Sequence, residues 1–273
     1  MFARVVSLLA LLGTLAVLAD GARIPAQAQH APWPSEYFDP KPRANIAGEF
    51  DYYTLVMSWS PTHCIAGEGD NDEMQCERRD GLRYGFVLHG LWPQYEQGYP
   101  ERCRTAWRPF VPEDVIASVR NFMPSRSLVI HEYKLHGTCS GLQPQPYFAL
   151  ARRLFAHIRI PDRYQNPFES QYVSARELEG DLLRANPELK PNMLTVSCGG
   201  PGNRLIDVRV CLTKDGRPRA CGKNETQHTL CRADQVLLPP VRSTKRLDTG
   251  INPQPKEDRP LPRPRLIESP SPM

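Results

Sequence analysis

Eight cysteines, Cys64, Cys76, Cys103, Cys139, Cys198, Cys211, Cys221 and Cys231, constrain this chain more than any other feature. No two of them show the CxxC spacing of a zinc ribbon or a redox pair, so a structural metal is disfavoured and bridging is the expected fate. Bridges persist only in an oxidising compartment, and the first residues bear on that condition. Arg4 precedes an apolar run from Val5 to Ala19, followed by small residues ending in Ala26-Gln27-Ala28. The run suits the apolar segment of a secretory signal and falls short of the roughly 20 residues that cross a bilayer. Residues 1–28 are therefore expected to be a signal peptide, with a secreted or periplasmic destination and no membrane contact after cleavage. An uncleaved anchor on the same stretch is the alternative. Four bridges are then expected, although their pairing does not follow from spacing.

The formal charge of +4 is too small an excess for a chain this long to signal a polyanionic partner. Any nucleic-acid function has to be argued from a site. Residues 29–47 are rich in proline and read as an extended lead-in. From Pro239 onward, proline and basic residues dominate and aromatics vanish, which predicts a tail, residues 239–273, unable to bury enough apolar surface to fold. One domain over residues 48–238 remains, and a monomer is expected.

Within it, Phe50 to Trp59 and Arg83 to Leu88 read as strands. Ile206, Val208, Val210 and Leu212 alternate with Asp207, Arg209 and Cys211, the pattern of a half-buried strand, and Asp215-Gly216 predicts a hairpin turn after it. Helices are expected from Pro112, from Pro146 with Leu150, Leu154 and Ile158 on one face, and from Ser174, where Glu177 completes a capping box. Strands fall in blocks without strict βαβ alternation, so the fold class is α+β, a mainly antiparallel sheet flanked by helices.

Two segments carry chemistry. Leu88-His89-Gly90-Leu91-Trp92-Pro93-Gln94 follows a predicted strand, so His89 stands at a strand end where glycine and proline turn the chain toward a cleft. In His131-Glu132-Tyr133-Lys134-Leu135-His136-Gly137-Thr138-Cys139, helical geometry lets Glu132 and His136, four residues apart, share a surface. The HExxxH order differs from the HExxH of zinc proteases: five residues turn the second histidine about 140° from the first, so one metal cannot take both. No cofactor is expected. Two histidines and a glutamate suit phosphodiester transfer without metal, because imidazole titrates near neutrality and can serve as base or acid.

LHGLWP and HEYKLHGTC resemble the two active-site segments of the ribonuclease T2 family, and FDYYTLVMSWSPTHC resembles the strand and first cysteine that precede them there. The resemblance spans about Phe50 to Cys231. It implies a metal-independent endoribonuclease acting on single-stranded RNA, giving a 2′,3′-cyclic phosphate and then a 3′-phosphate. His136 is then the base toward the 2′-hydroxyl and His89 the acid toward the departing 5′-oxygen. His131 binds the phosphate, Glu132 polarises it or orients a histidine, and Trp92 stacks on a base with Gln94 nearby. The implied pairing is Cys64 with Cys76, Cys103 with Cys139, Cys198 with Cys231, and Cys211 with Cys221.

The pattern departs from the family in two places. Relatives usually carry lysine immediately before the second histidine, where this chain has Leu135, with Lys134 one step earlier. One helical step turns a side chain by about 100°, so either Lys134 reaches round to bind substrate, another cation such as an arginine stands in, or the enzyme is slower. Gln94 replaces an acidic residue common in the base pocket, which leaves base preference open. A weakened member that binds RNA or another partner is the alternative reading, and a metal-dependent nuclease a third. Asn224-Glu225-Thr226 fits a glycosylation sequon.

Overall fold

The structure, a computed structural model, describes residues 45–66 and 72–245. The expected signal peptide, most of the lead-in and the tail beyond residue 245 lie outside the described residues. Six strands form one sheet: β1 (Tyr52–Trp59), β2 (Phe86–Gln94), β3 (Gln171–Val173), β4 (Leu194–Gly199), β5 (Arg204–Leu212) and β6 (Val236–Leu238). Their order is β2-β1-β5-β6-β3, with β4 also paired to β5, and every pairing is antiparallel except the single β5–β6 bridge. The helices are α1 (Ser60–Ile65), α2 (Glu73–Cys76), α3 (Glu113–Val119), α4 (Arg126–Leu135), α5 (Pro144–His157), α6 (Ala175–Ala185) and α7 (Gln227–Leu230). This is the expected α+β architecture.

The two faces of the sheet differ. Tyr53, Leu55, Met57 and Trp59 of β1, with Leu88 and Leu91 of β2 and Val208, Val210 and Leu212 of β5, point into the main core. Val115, Val129, Tyr133, Tyr147, Phe148, Leu154 and Leu178 from the helices meet them there. The opposite face carries Thr54 and Ser58 of β1, paired with Cys211 and Asp207 of β5, and Arg209 of β5 paired with Val56. Ile206 is exposed on β5 while Asp207 and Cys211 are buried, so the half-buried reading of that strand is corrected. A strand with neighbours on both sides and polar partners across its second face buries that face too.

Proline and glycine punctuate the chain much as the sequence suggests. Pro112 is the N-cap of α3, and α5 begins at Pro144, two residues before the expected Pro146. Ser174 accepts a hydrogen bond from the Glu177 N–H, but the Glu177 carboxylate takes Arg163, so half of the capping box forms. Beyond β5 the chain turns at Gly216, whose φ of +85° suits glycine, and returns with Leu212 opposite Pro218.

The chain beyond Leu238 remains part of the fold as far as residue 245, which corrects the expected boundary at 238. Val241 is buried, its N–H donates to the Pro167 carbonyl at 2.8 Å, and Trp59 Nε1 donates to the Pro239 carbonyl at 3.0 Å. At the other end, Ile46 bridges Arg104 and the Gly48 N–H donates to the Cys139 carbonyl, so part of the lead-in also packs.

The disulfides join Cys64 to Cys76, Cys103 to Cys139, Cys198 to Cys231, and Cys211 to Cys221, the pairs that the resemblance implies. Cys103–Cys139 ties the loop after β2 to the 3-10 turn (Gly137–Ser140) that follows α4. No helix among the described residues is long and apolar enough to cross a membrane.

Candidate active site

His89 does not stand at a strand end. β2 runs through it to Gln94, and the register of β1 and β2 shifts so that Val56 faces Gly90 while Met57 faces Leu88, leaving His89 as the extra residue of a β-bulge. The bulge settles a problem of parity. In a regular strand His89 and Trp92, three residues apart, would lie on opposite faces. One inserted residue brings both to the polar face. Pro93 is tolerated because β2 is an edge strand of the sheet. The outer edge is covered: the Leu88 N–H donates to the Phe122 carbonyl at 2.8 Å, and the Tyr147 hydroxyl donates to the Leu91 carbonyl at 2.9 Å.

α4 supplies the second half of the site. Ser125 caps its N-terminus, Val129, Glu132 and Tyr133 are buried along it, and His136 is its C-cap, 7 % exposed. Glu132 and His136 therefore share the inward face, whereas His131 is exposed, as the 140° turn requires.

Glu132, 2 % exposed, is the hub. Its Oε2 accepts from Trp92 Nε1 at 2.6 Å, and its Oε1 lies 3.3 Å from His89 Nε2. On the other side of the His89 ring, Nδ1 is 2.9 Å from Ser58 Oγ. The Trp92 ring meets His89 edge-on at 5.3 Å between centroids and stacks on His136 at 4.8 Å with 26° between planes. Gly90 makes room for this: a Cβ there would lie 2.2 Å from Glu132 Oε2 and 2.4 Å from Trp92 Nε1.

The environments push the two imidazoles apart. Burial disfavours the His89 imidazolium, but the Glu132 carboxylate at its Nε2, aided by Asp207, outweighs burial and the opposing Arg209, so its pKa lies above the ordinary histidine value. For His136, burial dominates and the charges of His89, His131 and Arg102 add to it; against the pull of Glu132 its pKa falls to about 4. Burial works to raise Glu132, but the hydrogen bond and charge of His89, then His136 and the Trp92 N–H, hold its carboxyl below the usual range.

Two cavities adjoin across the His89–Trp92 contact. The larger, of about 860 Å³, is lined by Ser58, His63, Val87, His89, His131 and Arg204, among others. The smaller, of about 440 Å³, is lined by Trp92, Gln94, Tyr99, Leu135, His136 and Arg209, with Glu101, Asn224 and Glu225.

With this geometry in place, residues 50–221 match the model of the Ribonuclease T2 family. The chain belongs to the ribonuclease T2 family. It is 36 % identical over 218 residues to a ribonuclease from Aeromonas hydrophila, covering 78 % of this chain and 94 % of that protein. Ribonuclease I from Escherichia coli strain K12 is 23 % identical over 216 residues, 63 % of this chain and 79 % of that protein. Among solved structures, trichomaglin, described as a novel S-like ribonuclease, superposes with a TM-score of 0.54 at 22 % identity, over 71 % of this chain and 99 % of that one, a likeness of fold.

Against the ribonuclease T2 pattern, His89, Glu132, His136 and Trp92 come together and His131 lines the adjoining cavity. Lys134 does not join them: it is exposed and lines neither cavity. Trp92 is engaged by His136, by Glu132 and by the Arg209 guanidinium 5.2 Å from its ring centre. Gln94 is buried at the back of the smaller cavity, where its Oε1 accepts from Asn224 Nδ2 at 2.9 Å. The same Asn224 amide bonds Gly98, so the sequon asparagine clamps two loops of the cavity instead of presenting its amide for glycosylation.

Sequence motifs do not single out Ser58, Tyr99, Asp207, Arg209 or Glu225. A signal exists for those on the strands: polar residues recur at alternate positions on β1 and β5, which places them in rows across one sheet face.

Proposed function

We propose that this protein is a metal-independent endoribonuclease that cleaves single-stranded RNA by intramolecular transfer to the ribose 2′-oxygen, acting as a monomer in a secreted or periplasmic setting. The observation that carries the reading is a pair of imidazoles displaced in opposite directions around one carboxylate and one indole. Groups whose environments separate their pKa values are suited to opposite proton roles.

His136, neutral at neutral pH, takes the proton of the 2′-hydroxyl. Its Nδ1 is buried with no hydrogen-bond partner among the described residues, so Nε2 is the nitrogen that meets substrate. The 2′-oxygen bonds to phosphorus, the bond from phosphorus to the 5′-oxygen breaks, and His89, held as imidazolium beside Glu132, gives its proton to that oxygen. The product is a 2′,3′-cyclic phosphate. In the second stage water takes the place of the departed nucleoside: His89, now neutral, accepts its proton and His136 returns one to the 2′-oxygen, leaving a 3′-phosphate. Glu132 orients and charges His89 rather than touching phosphate, and exposed His131 offers a hydrogen-bond donor to it.

The same roles orient the strand. The 2′-hydroxyl belongs to the nucleotide upstream of the cut, so its base enters the smaller cavity beside His136, where half-exposed Tyr99 offers an aromatic face. The departing nucleotide lies in the larger cavity beside His89.

Incubating the purified protein with RNA in EDTA tests this. Fragments ending in cyclic phosphate, with the matching DNA intact, are expected, because DNA lacks the attacking hydroxyl. Loss of cleavage in EDTA or cutting of DNA refutes it.

A further inference from the structure

A site that receives an anion needs a cation placed at the phosphate: Arg102 acts on His136 through its charge but lines neither cavity, and Arg204 lines the larger cavity but not the one that holds His136. Glu132, Asp207 and Glu225 are 2 %, 3 % and 4 % exposed and all lie near the imidazoles. A phosphodiester arriving there gains negative charge as the 2′-oxygen adds, and three buried carboxylates disfavour that gain unless a fixed cation compensates. His136 is neutral near pH 7. Leu135 carries no charge, and Lys134 lines neither cavity.

Among the described residues, Arg209 is the one lysine or arginine that lines the cavity containing His136. It projects from the middle of β5, opposite Val56, which faces Gly90 across β1. It therefore stands in the same cross-strand row as the bulge that carries His89. Its Nε donates to Asp207 Oδ1 at 3.0 Å, and its Cζ lies 5.2 Å from the Trp92 ring centre. Its Nη1 forms a long ion pair with Glu225 Oε1 at 4.0 Å, beyond hydrogen-bond distance. The guanidinium is thus hydrogen-bonded at its Nε edge, while its Nη edge, at ion-pair distance from Glu225, retains N–H groups to donate.

We propose that Arg209 is the cation that meets the scissile phosphate, its Nη edge donating to the non-bridging oxygens that gain charge as the 2′-oxygen adds. The role rests on the ribonuclease reading above. Asp207 aims the group and Trp92 supports its plane, so one indole holds the base, the acid and the cation in one arrangement. A planar fork suits paired donation to phosphate, which lysine cannot reproduce.

The test compares kcat/KM for a dinucleoside monophosphate across wild type, Arg209→Ala and Arg209→Lys, with near-ultraviolet circular dichroism to check the fold. Arg209→Ala is expected to lose about a hundred-fold, the usual cost of one transition-state donor. Added guanidinium ion should restore part of the loss and urea none, a distinction that a purely structural role would not produce. Arg209→Lys keeps the stem against Trp92 and the charge, and is expected to fall about ten-fold because the paired donation is lost. If Arg209→Ala does not fold, Arg209→Lys decides alone, and a wild-type value for it overturns the proposal. So does a folded Arg209→Ala with wild-type kcat/KM, or equal rescue by urea. An inactive wild type refutes the ribonuclease reading itself, which separates the two failures.

Discussion

Substituting Gly90 by alanine places one methyl group at the most crowded point of the site. The new Cβ would lie 2.2 Å from Glu132 Oε2 and 2.4 Å from Trp92 Nε1, two atoms that are themselves hydrogen-bonded at 2.6 Å. Neither can yield freely, since Glu132 is 2 % exposed and the Trp92 ring is stacked on His136. The methyl must break the hydrogen bond or push β2 outward. A hydrogen bond to a charged group contributes about 1.5–3 kcal/mol, and its loss leaves a buried carboxylate short of a donor. Because Glu132 sets the His89 charge and Trp92 holds His136, we expect the loss to appear in catalysis, about 10–100-fold in kcat/KM at roughly 1.4 kcal/mol per decade. Thermal unfolding should show destabilisation of about 1–3 kcal/mol from overpacking. Gly180→Ala in α6 is the control: its Cβ would meet only the flexible end of Arg184 at 3.3 Å, and helix propensity favours the change by up to about 1 kcal/mol. Steady-state kinetics on a dinucleoside monophosphate, with melting curves for both variants, decide the matter. A Gly90→Ala enzyme with wild-type kcat/KM would refute the reasoning that the bulge glycine exists to let carboxylate and indole meet.

The pH profile should be a bell with unequal limbs: activity falls on the acid side as His136 takes a proton near pH 4, and on the alkaline side as His89 loses its proton above the ordinary histidine value. A sharp optimum above pH 8 with no acid activity would contradict that order. Trp92→Phe keeps a ring against His136 but removes the donor to Glu132, and should cost about 1.5–3 kcal/mol of transition-state binding in kcat/KM. Lys134→Ala should match wild type in kcat/KM, since the side chain lines neither cavity. Opening Cys103–Cys139 by paired serine substitution should lower stability by about 2–4 kcal/mol in denaturant unfolding.

Much of this site is legible in the residues alone, and the parts that are not share a cause. The four-residue spacing of Glu132 and His136 follows from helix geometry, and both lie on the buried face of α4. The His89 segment is harder, because glycine and proline signal a turn in sequence, whereas here Gly90 sits in a bulge and Pro93 on an edge strand. A bulge leaves no mark in a period-two pattern except the wrong parity of two residues, His89 and Trp92, which makes sense only once their shared partner Glu132 is known. Arg209 is hidden because alternation on β5 reads as a solvent-facing side. Burial of that side depends on Thr54, Val56 and Ser58 of β1, which no local pattern in β5 reveals. The cysteine pairing comes from family resemblance, since spacing alone does not select one connectivity among many.

The division of labour between the imidazoles is tested most directly with an RNA dinucleotide whose departing 5′-oxygen is replaced by sulfur. A thiolate leaves without being protonated, so the acid becomes dispensable and the base does not. The account predicts that His89→Ala, nearly inactive on the oxygen substrate, regains most of the wild-type rate on the sulfur substrate, while His136→Ala stays inactive on both. Rescue of His136→Ala instead, or equal loss for both variants on both substrates, would contradict the assignment of His136 as base and His89 as acid.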